Sequence, residues 1–299
     1  MNAQAYSDVL QGVLRTCPST GRVHSVFASS ANLQFGERLV HLGTSRQGDL
    51  PYGVLLQDRQ MIELLAMITL GEAVAWDKAA GTFRFASGLT VSLSGGVPFS
   101  SVPRSLSFSG EILRRNAACL IGQLAADGAV TGFGVNAEDA ALCLFGLQEE
   151  PPDFFRLTGE LKNVILSEDP IRIKQVLRKV IGRGQGLTPS GDDLLVGCLI
   201  GAVYGGTRCE SFCHGLRELL LEEGRRLTTE VSQEYLLYAL DNRFGSRIRR
   251  LADALFAGSP EELQSALQET LAVGHTSGID TVMGLILWIS LWMGEDSIG

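Results

Sequence analysis

One motif occurs twice in this chain, and it constrains the fold more than any other feature. Ser190-Gly191-Asp192-Asp193-Leu194-Leu195-Val196-Gly197 and Ser277-Gly278-Ile279-Asp280-Thr281-Val282-Met283-Gly284 share the pattern S-G-x-D-x-x-x-G, with a threonine and a glycine shortly before each copy. Each copy leads into an apolar run, Leu194 to Tyr204 and Val282 to Met293. Both runs are interrupted by glycine and fall short of the ~20 residues of a relaxed membrane span, so they read as buried helices. The chain is expected to bring two loop-to-helix junctions of one design together around one pocket.

The first junction, G-R-G-Q-G-L-T-P-S-G-D-D over Gly182 to Asp193, is dense in glycine. Pro189 stiffens the turn and Ser190 is placed to cap the helix that follows. A helix start offers unpaired N–H groups and partial positive charge, which suits a small anion. Gly186 and Gly191 have the G-x-x-x-x-G spacing of a phosphate-binding P-loop, but Asp192 and Asp193 stand where that loop carries Lys and Ser or Thr. Direct contact with an anion is therefore repulsive. Three uses remain for the carboxylates: holding a cation that bridges to an anion, accepting N–H groups of a polar substrate, or capping the helix, the last worth ~0.3–1 kcal/mol. Capping accounts for one aspartate, not for two beside so many glycines.

The second junction, Gly274-His275-Thr276-Ser277-Gly278-Ile279-Asp280, keeps the aspartate aligned with Asp193 and puts Ile279 in place of Asp192. Asp193 and Asp280 are thus expected at equivalent positions, with Asp192 either specific to its own loop or exposed. His275 is a candidate acid, base or anion donor, against the plainer reading of a hydrogen-bonded loop residue. The stretch lacks the G-x-S-x-G elbow of a nucleophilic serine. Thr228, before Tyr235 to Leu240, reads as an ordinary N-cap.

Composition narrows the function class. Of 299 residues, 45% are hydrophobic and 19% charged, as in a well-buried globular protein, and the net charge of −8 disfavours a nucleic-acid partner. The basic clusters Arg172 to Arg183 and Arg243 to Arg250 read as solvated helix faces. Six cysteines without a C-x-x-C pair read as reduced core thiols, and Cys209, Cys213 and His214 make only a weak metal motif. No secretory signal pattern opens the chain, so a cytoplasmic protein without a membrane partner is expected.

Along the chain, Asn2 to Thr16 reads as a short amphipathic helix. Val23–Ser29, Asn32–Phe35, Arg38–Leu42, Val54–Leu56, Ala73–Trp76, Thr82–Ala86 and Leu89–Leu93 read as strands. Met61 to Leu70 fits helix or strand. Helical spacing follows over Ser107–Asp127 and Glu138–Leu147, then over eight segments from Phe154 to Met293. The Glu149-Glu150-Pro151-Pro152 break predicts a domain boundary. The fold class is α+β: a β-rich domain over 1–150 and an α-helical domain over 151–299 carrying both motifs.

Taken together, G-x-G-x-G-L-T-P-S-G-D-D-x-L-x-G, a T-x-x-x-S helix start at Thr228 to Ser232 and G-H-T-S-G-x-D-x-x-x-G resemble the AllH-like family, long catalogued as a domain of unknown function and tied to anaerobic allantoin degradation. Gln185 stands where that family has proline. The resemblance implies a subunit of oxamate carbamoyltransferase that works with two other protein subunits. That enzyme converts oxalurate and phosphate into oxamate and carbamoyl phosphate. On this reading Asp192, Asp193, His275 and Asp280 are catalytic candidates. Arg183, Gly186, Thr188, Ser190, Gly191, Thr276, Ser277 and Gly278 are candidates for binding a small anionic substrate. No metal ligand and no cofactor is assigned. No arginine clamp for carbamoyl phosphate is evident, so a partner subunit or a metal must supply positive charge. The competing classes are a non-catalytic anion-binding or assembly protein and a metal-dependent hydrolase.

Overall fold

A computed structural model describes residues 1–107, 109–147, 152–207 and 209–295. It divides into two compact units, Met1–Val102 and Pro103–Gly299, each with its own apolar core. The α+β class is observed, strands first and helices after.

The first unit is built on a nine-stranded mixed sheet. Its strands are β1 (Ala5–Ser7), β2 (Thr20–Val26), β3 (Ala31–Phe35), β4 (Arg38–Gly43), β5 (Gly53–Leu55), β6 (Ala73–Asp77), β7 (Thr82–Phe85), β8 (Thr90–Ser92) and β9 (Val97–Phe99), in the spatial order β8-β7-β6-β2-β3-β4-β5-β1-β9. Two helices, α1 (Leu10–Thr16) and α2 (Asp58–Met67), interrupt the strands in sequence. All seven expected strands are present. Every residue of β3 is buried, as in a strand covered on both faces. Trp76 packs at a tilt against Phe83 with centroids 4.5 Å apart, and Phe83 meets Phe35 at 5.8 Å.

Three local differences have plain causes. The helix expected over Asn2 to Thr16 is only α1, because Ala5–Ser7 pairs with β5 on one side and β9 on the other. Sheet hydrogen bonding outweighs a weak helical period. Met61 to Leu70 resolves largely as helix, opened by a capping box between Gln57 and Gln60 and turning Met61 and Leu64 inward. Strand β9 contains Pro98 and was not expected; it lies on the sheet edge, where a missing N–H is tolerated.

The second unit comprises α3 (Gly110–Asp127), α4 (Ala137–Leu144), α5 (Pro152–Ile165), α6 (Pro170–Val180), α7 (Ser190–Gly205), α8 (Glu210–Leu227), α9 (Glu230–Leu240), α10 (Ser246–Ala257), α11 (Pro260–Leu271) and α12 (Ser277–Glu295). The division between units falls at Val102/Pro103, not at 150/151. Leu113, Leu120 and Leu124 of α3 and Ala140, Ala141 and Leu144 of α4 belong to the same core as α7 and α12, so these helices join the helical unit. Of the break at Glu149-Glu150-Pro151-Pro152, residues 149–151 lie outside the described residues.

Helices α7 and α12 form the centre of this core. A Cβ on Gly197 would stand 2.0 Å from the Thr281 carbonyl oxygen, and one on Gly284 would stand 1.9 Å from that of Leu194. Leu194 and Thr281 each follow the motif aspartate, so the crossing is two-fold in character: each motif's glycine lies on the other motif's backbone. Beyond it, the buried Trp288 ring occupies the space left by Gly201 and Gly205.

The helices leading into the pair match as well. Asp169 caps α6 and Ser259 caps α11, each followed by proline at the first helical position. Gly191 then packs on the Val180 carbonyl at the end of α6, and Gly278 on the Thr270 carbonyl near the end of α11. The chain has folded one helix-loop-helix twice, and this places both S-G-x-D junctions side by side.

Candidate functional site

The loop before α7 is fixed from several sides. Arg183 donates its backbone N–H to Val180 and accepts one from Gly191 at 2.8 Å, while the Thr229 hydroxyl donates to the Leu187 carbonyl. The Gly191 amide is therefore used within the loop, and the amides of Asp192 and Asp193 both donate to the Pro189 carbonyl. The expected row of free helix-start amides is correspondingly reduced on α7. The capping role also shifts: Pro189 occupies the N-cap position, and Ser190 begins the helix with its hydroxyl unused as a cap.

That hydroxyl points instead toward the second junction. Asp280, fully buried, accepts the Gly132 amide on Oδ1 at 2.9 Å, and the hydroxyls of Ser190 and Thr276 face the same carboxylate. In the other direction, Ser277 and Thr188 face Asp193 while bonding to each other at 2.8 Å. The serine of each copy thus attends the aspartate of the other. Oδ2 of Asp193 and Oδ2 of Asp280 are both buried and make no hydrogen bond. The hydroxyls ease ionisation from nearby without satisfying those oxygens.

Burial governs the charge state of the pair. It holds the Asp193 carboxyl well above the ordinary carboxylate range, the nearby Asp280 charge pushes it further up, and Ser277 and Thr188 offset part of the rise. Asp280 is raised by burial too, with the Gly132 amide and the Ser190 and Thr276 hydroxyls opposing. Tyr235 on α9, pushed up to about 12 by burial with a further contribution from Asp193, accepts the Gly245 amide on its phenol oxygen at 3.0 Å.

Asp192 is different. It is not exposed: Oδ1 accepts the Gly182 amide at 2.8 Å, and Oδ2 accepts the hydroxyls of Ser232 at 2.6 Å and of Thr228. Burial still raises its pKa, and these three donors oppose the rise. Thr228 is consequently not the cap of α9. Thr229 is, accepting the Ser232 amide at 3.1 Å, while Thr228 and Ser232 together grip Asp192. This explains both the T-x-x-x-S spacing and the absence of a second aspartate at Ile279, since Asp192 anchors α9 to the first loop alone.

A third loop, not recognised from sequence, completes the site. Thr131-Gly132-Phe133-Gly134 is a tight turn closed by the Thr131 hydroxyl on the Val135 carbonyl and by paired bonds between Thr131 and Val135. A Cβ on Gly132 would lie 1.9 Å from Ser190 Oγ, 2.7 Å from Asp280 Oδ2 and 2.8 Å from Thr276 Oγ1. Only glycine allows that approach. Its sole sequence signal is two glycines flanking a phenylalanine, which carries no chemistry by itself.

The remaining candidates sit around the acids at different depths. Gly278 is buried and Thr188, Thr276 and Ser277 are half-buried, whereas Arg183, Gly186 and His275 are exposed on the outer arms of the loops. The Cys209 and Cys213 sulfurs are 3.6 Å apart, and His214 pairs with Glu218 at 3.2 Å. Among the described residues no group of three His, Cys, Asp or Glu side chains is arranged to hold a metal ion. The six cysteines are free thiols.

Fold and site define a class: an α+β protein whose helical unit repeats one helix-loop-helix so that two buried aspartates, each facing the other repeat's serine, meet at paired helix starts. Residues 180–289 match the family described as oxamate carbamoyltransferase subunit AllH, and residues 2–98 match the AllH family N-terminal domain. The chain is a member of the AllH-like family, as its motifs imply. No solved structure matches it.

Proposed function

We propose that this chain is a subunit of an oxamate carbamoyltransferase and that the junction of the α7 and α12 starts holds its small anionic substrate. The family description supports the first part. The observation that carries the second is the crossed arrangement of Asp193 with Ser277 and Asp280 with Ser190, which leaves an oxygen of each aspartate buried and unbonded. Helix dipoles and the hydroxyls of Thr188, Ser190, Thr276 and Ser277 suit anionic oxygens, and the two carboxylates fix the orientation of what is bound. In the reaction, a phosphate oxygen attacks the carbamoyl carbon of oxalurate, the carbon–nitrogen bond to the oxamate portion breaks, and that nitrogen takes up a proton. Arg183 and His275 would meet substrate as it arrives, a role that their exposure on the loop arms supports. Partner subunits complete the site with positive charge, and neither nucleic acid nor membrane takes part. Free thiols suit a cytoplasmic setting.

The test is oxalurate phosphorolysis in the assembled complex. Asp193→Asn and Asp280→Asn are each expected to lower carbamoyl phosphate formation by roughly 10²-fold or more; unchanged turnover in both would remove the pair from the reaction. A structural reading is favoured for one residue only. The three hydrogen bonds to Asp192 make it a positioning residue that secures the first loop.

A further inference from the structure

The site described above contains an electrostatic conflict. Two helix starts and four hydroxyls meet there, a setting of positive potential, yet two carboxylates lie buried among them. Each carboxylate keeps a buried oxygen that makes no hydrogen bond, with hydroxyls nearby, although Asp193 is 4% exposed and Asp280 0%. Leaving such oxygens unpaired is costly, so the fold is expected to have a partner for them. The surrounding donors are all hard oxygen: Ser190 Oγ and Thr276 Oγ1 beside Asp280 Oδ2, and Thr188 Oγ1 and Ser277 Oγ beside Asp193. No histidine, cysteine or third acid stands with them among the described residues, which argues against a zinc-type site.

We propose that Asp193 Oδ2 and Asp280 Oδ2 bind one divalent hard cation of the Mg²⁺ class, and that this ion bridges the acid pair to an oxygen of the bound anion. One or two carboxylates, with the remaining positions filled by water and by a phosphate or carboxylate of the ligand, is the usual way a protein holds Mg²⁺. The ion removes the conflict. It balances the charges of Asp193, which stands where a P-loop carries Ser or Thr, and of Asp280, so that an anion can approach the two helix starts without repulsion. The proposal rests on the reading of this junction as the substrate site, but it fails separately from that reading.

The experiment is a Mn²⁺ titration followed by electron paramagnetic resonance. It uses the full chain, alone and assembled with its partner subunits, with and without inorganic phosphate. One saturable Mn²⁺ per chain is expected, tighter with phosphate and displaced by Mg²⁺. Asp193→Asn and Asp280→Asn should each weaken it by about tenfold or more, whereas Glu168→Gln, an exposed acid on the α5–α6 connection, should leave it unchanged. Circular dichroism of each variant confirms that the fold is retained. No saturable binding in either form, or unchanged binding in both asparagine variants, overturns the proposal. Loss of carbamoyl transfer in those variants without Mn²⁺ binding by the wild type would sink the cation and keep the substrate site. Mn²⁺ binding with unaffected transfer would do the reverse.

Discussion

Asp192 and Asp193 are neighbours in sequence and opposites in environment. Asp192 is a satisfied acceptor, so truncation to alanine strands the Gly182 amide and the Thr228 and Ser232 hydroxyls. We expect Asp192→Ala to cost about 2–4 kcal/mol in a denaturant titration, with partial recovery in Asp192→Asn, whose carbonyl can keep the Gly182 amide while its NH2 donates to the Thr228 and Ser232 hydroxyls. Asp193 and Asp280 have the opposite energetics. Their folded pKa values lie above the ordinary value near ~3.9, so the folded state binds more protons than the unfolded chain. Their contribution to stability is therefore fully present below the unfolded pKa and is lost as pH rises through the folded pKa. In metal-free buffer Asp193→Asn or Asp280→Asn should raise the melting temperature at neutral pH and flatten the fall in stability above about pH 4. A lowered melting temperature with an unchanged slope would mean that these carboxyls are not held protonation-prone in the folded state.

At the level of elements, the α7–α12 crossing depends on two glycines. Gly197→Ala or Gly284→Ala puts a methyl within about 2 Å of a carbonyl oxygen of the opposite helix, and overpacking of this kind costs about 1–3 kcal/mol. Melting temperatures should fall for both variants, whereas Gly122→Ala in α3, where a Cβ meets nothing within 4 Å, should be neutral or stabilising. Equal behaviour of all three would refute the close crossing. These elements were largely legible in the sequence: the seven strand segments and the eight helical segments from Phe154 onward announced themselves by period, caps and turns. The doubled motif also announced that Asp193 and Asp280 hold equivalent positions in its two copies. What stayed hidden depends on tertiary partners. Local pattern cannot show that Thr228 turns to Asp192 rather than to its own helix, that Ala5–Ser7 completes a ladder with β5 and β9, or that Gly132 arrives from a distant turn to approach Ser190, Thr276 and Asp280.

For the whole molecule, the separate cores of 1–102 and 103–299 make a prediction about folding units. Because α3 and α4 belong to the helical core, a fragment beginning at Pro103 should melt cooperatively, whereas one beginning at 151 should lose Leu113, Leu120 and Leu144 from that core and aggregate or melt without cooperativity. The helical unit carries the whole proposed acid site.

A double-mutant cycle on Asp193→Asn and Asp280→Asn, read as turnover of oxalurate and phosphate in the assembled complex, examines the pair as a pair. If the two carboxylates act on one bound ligand, either single change removes most of the rate and the double variant is little worse than the poorer single. Wild-type turnover in either single variant, or losses that simply multiply in the double, would contradict a shared site at the two helix starts.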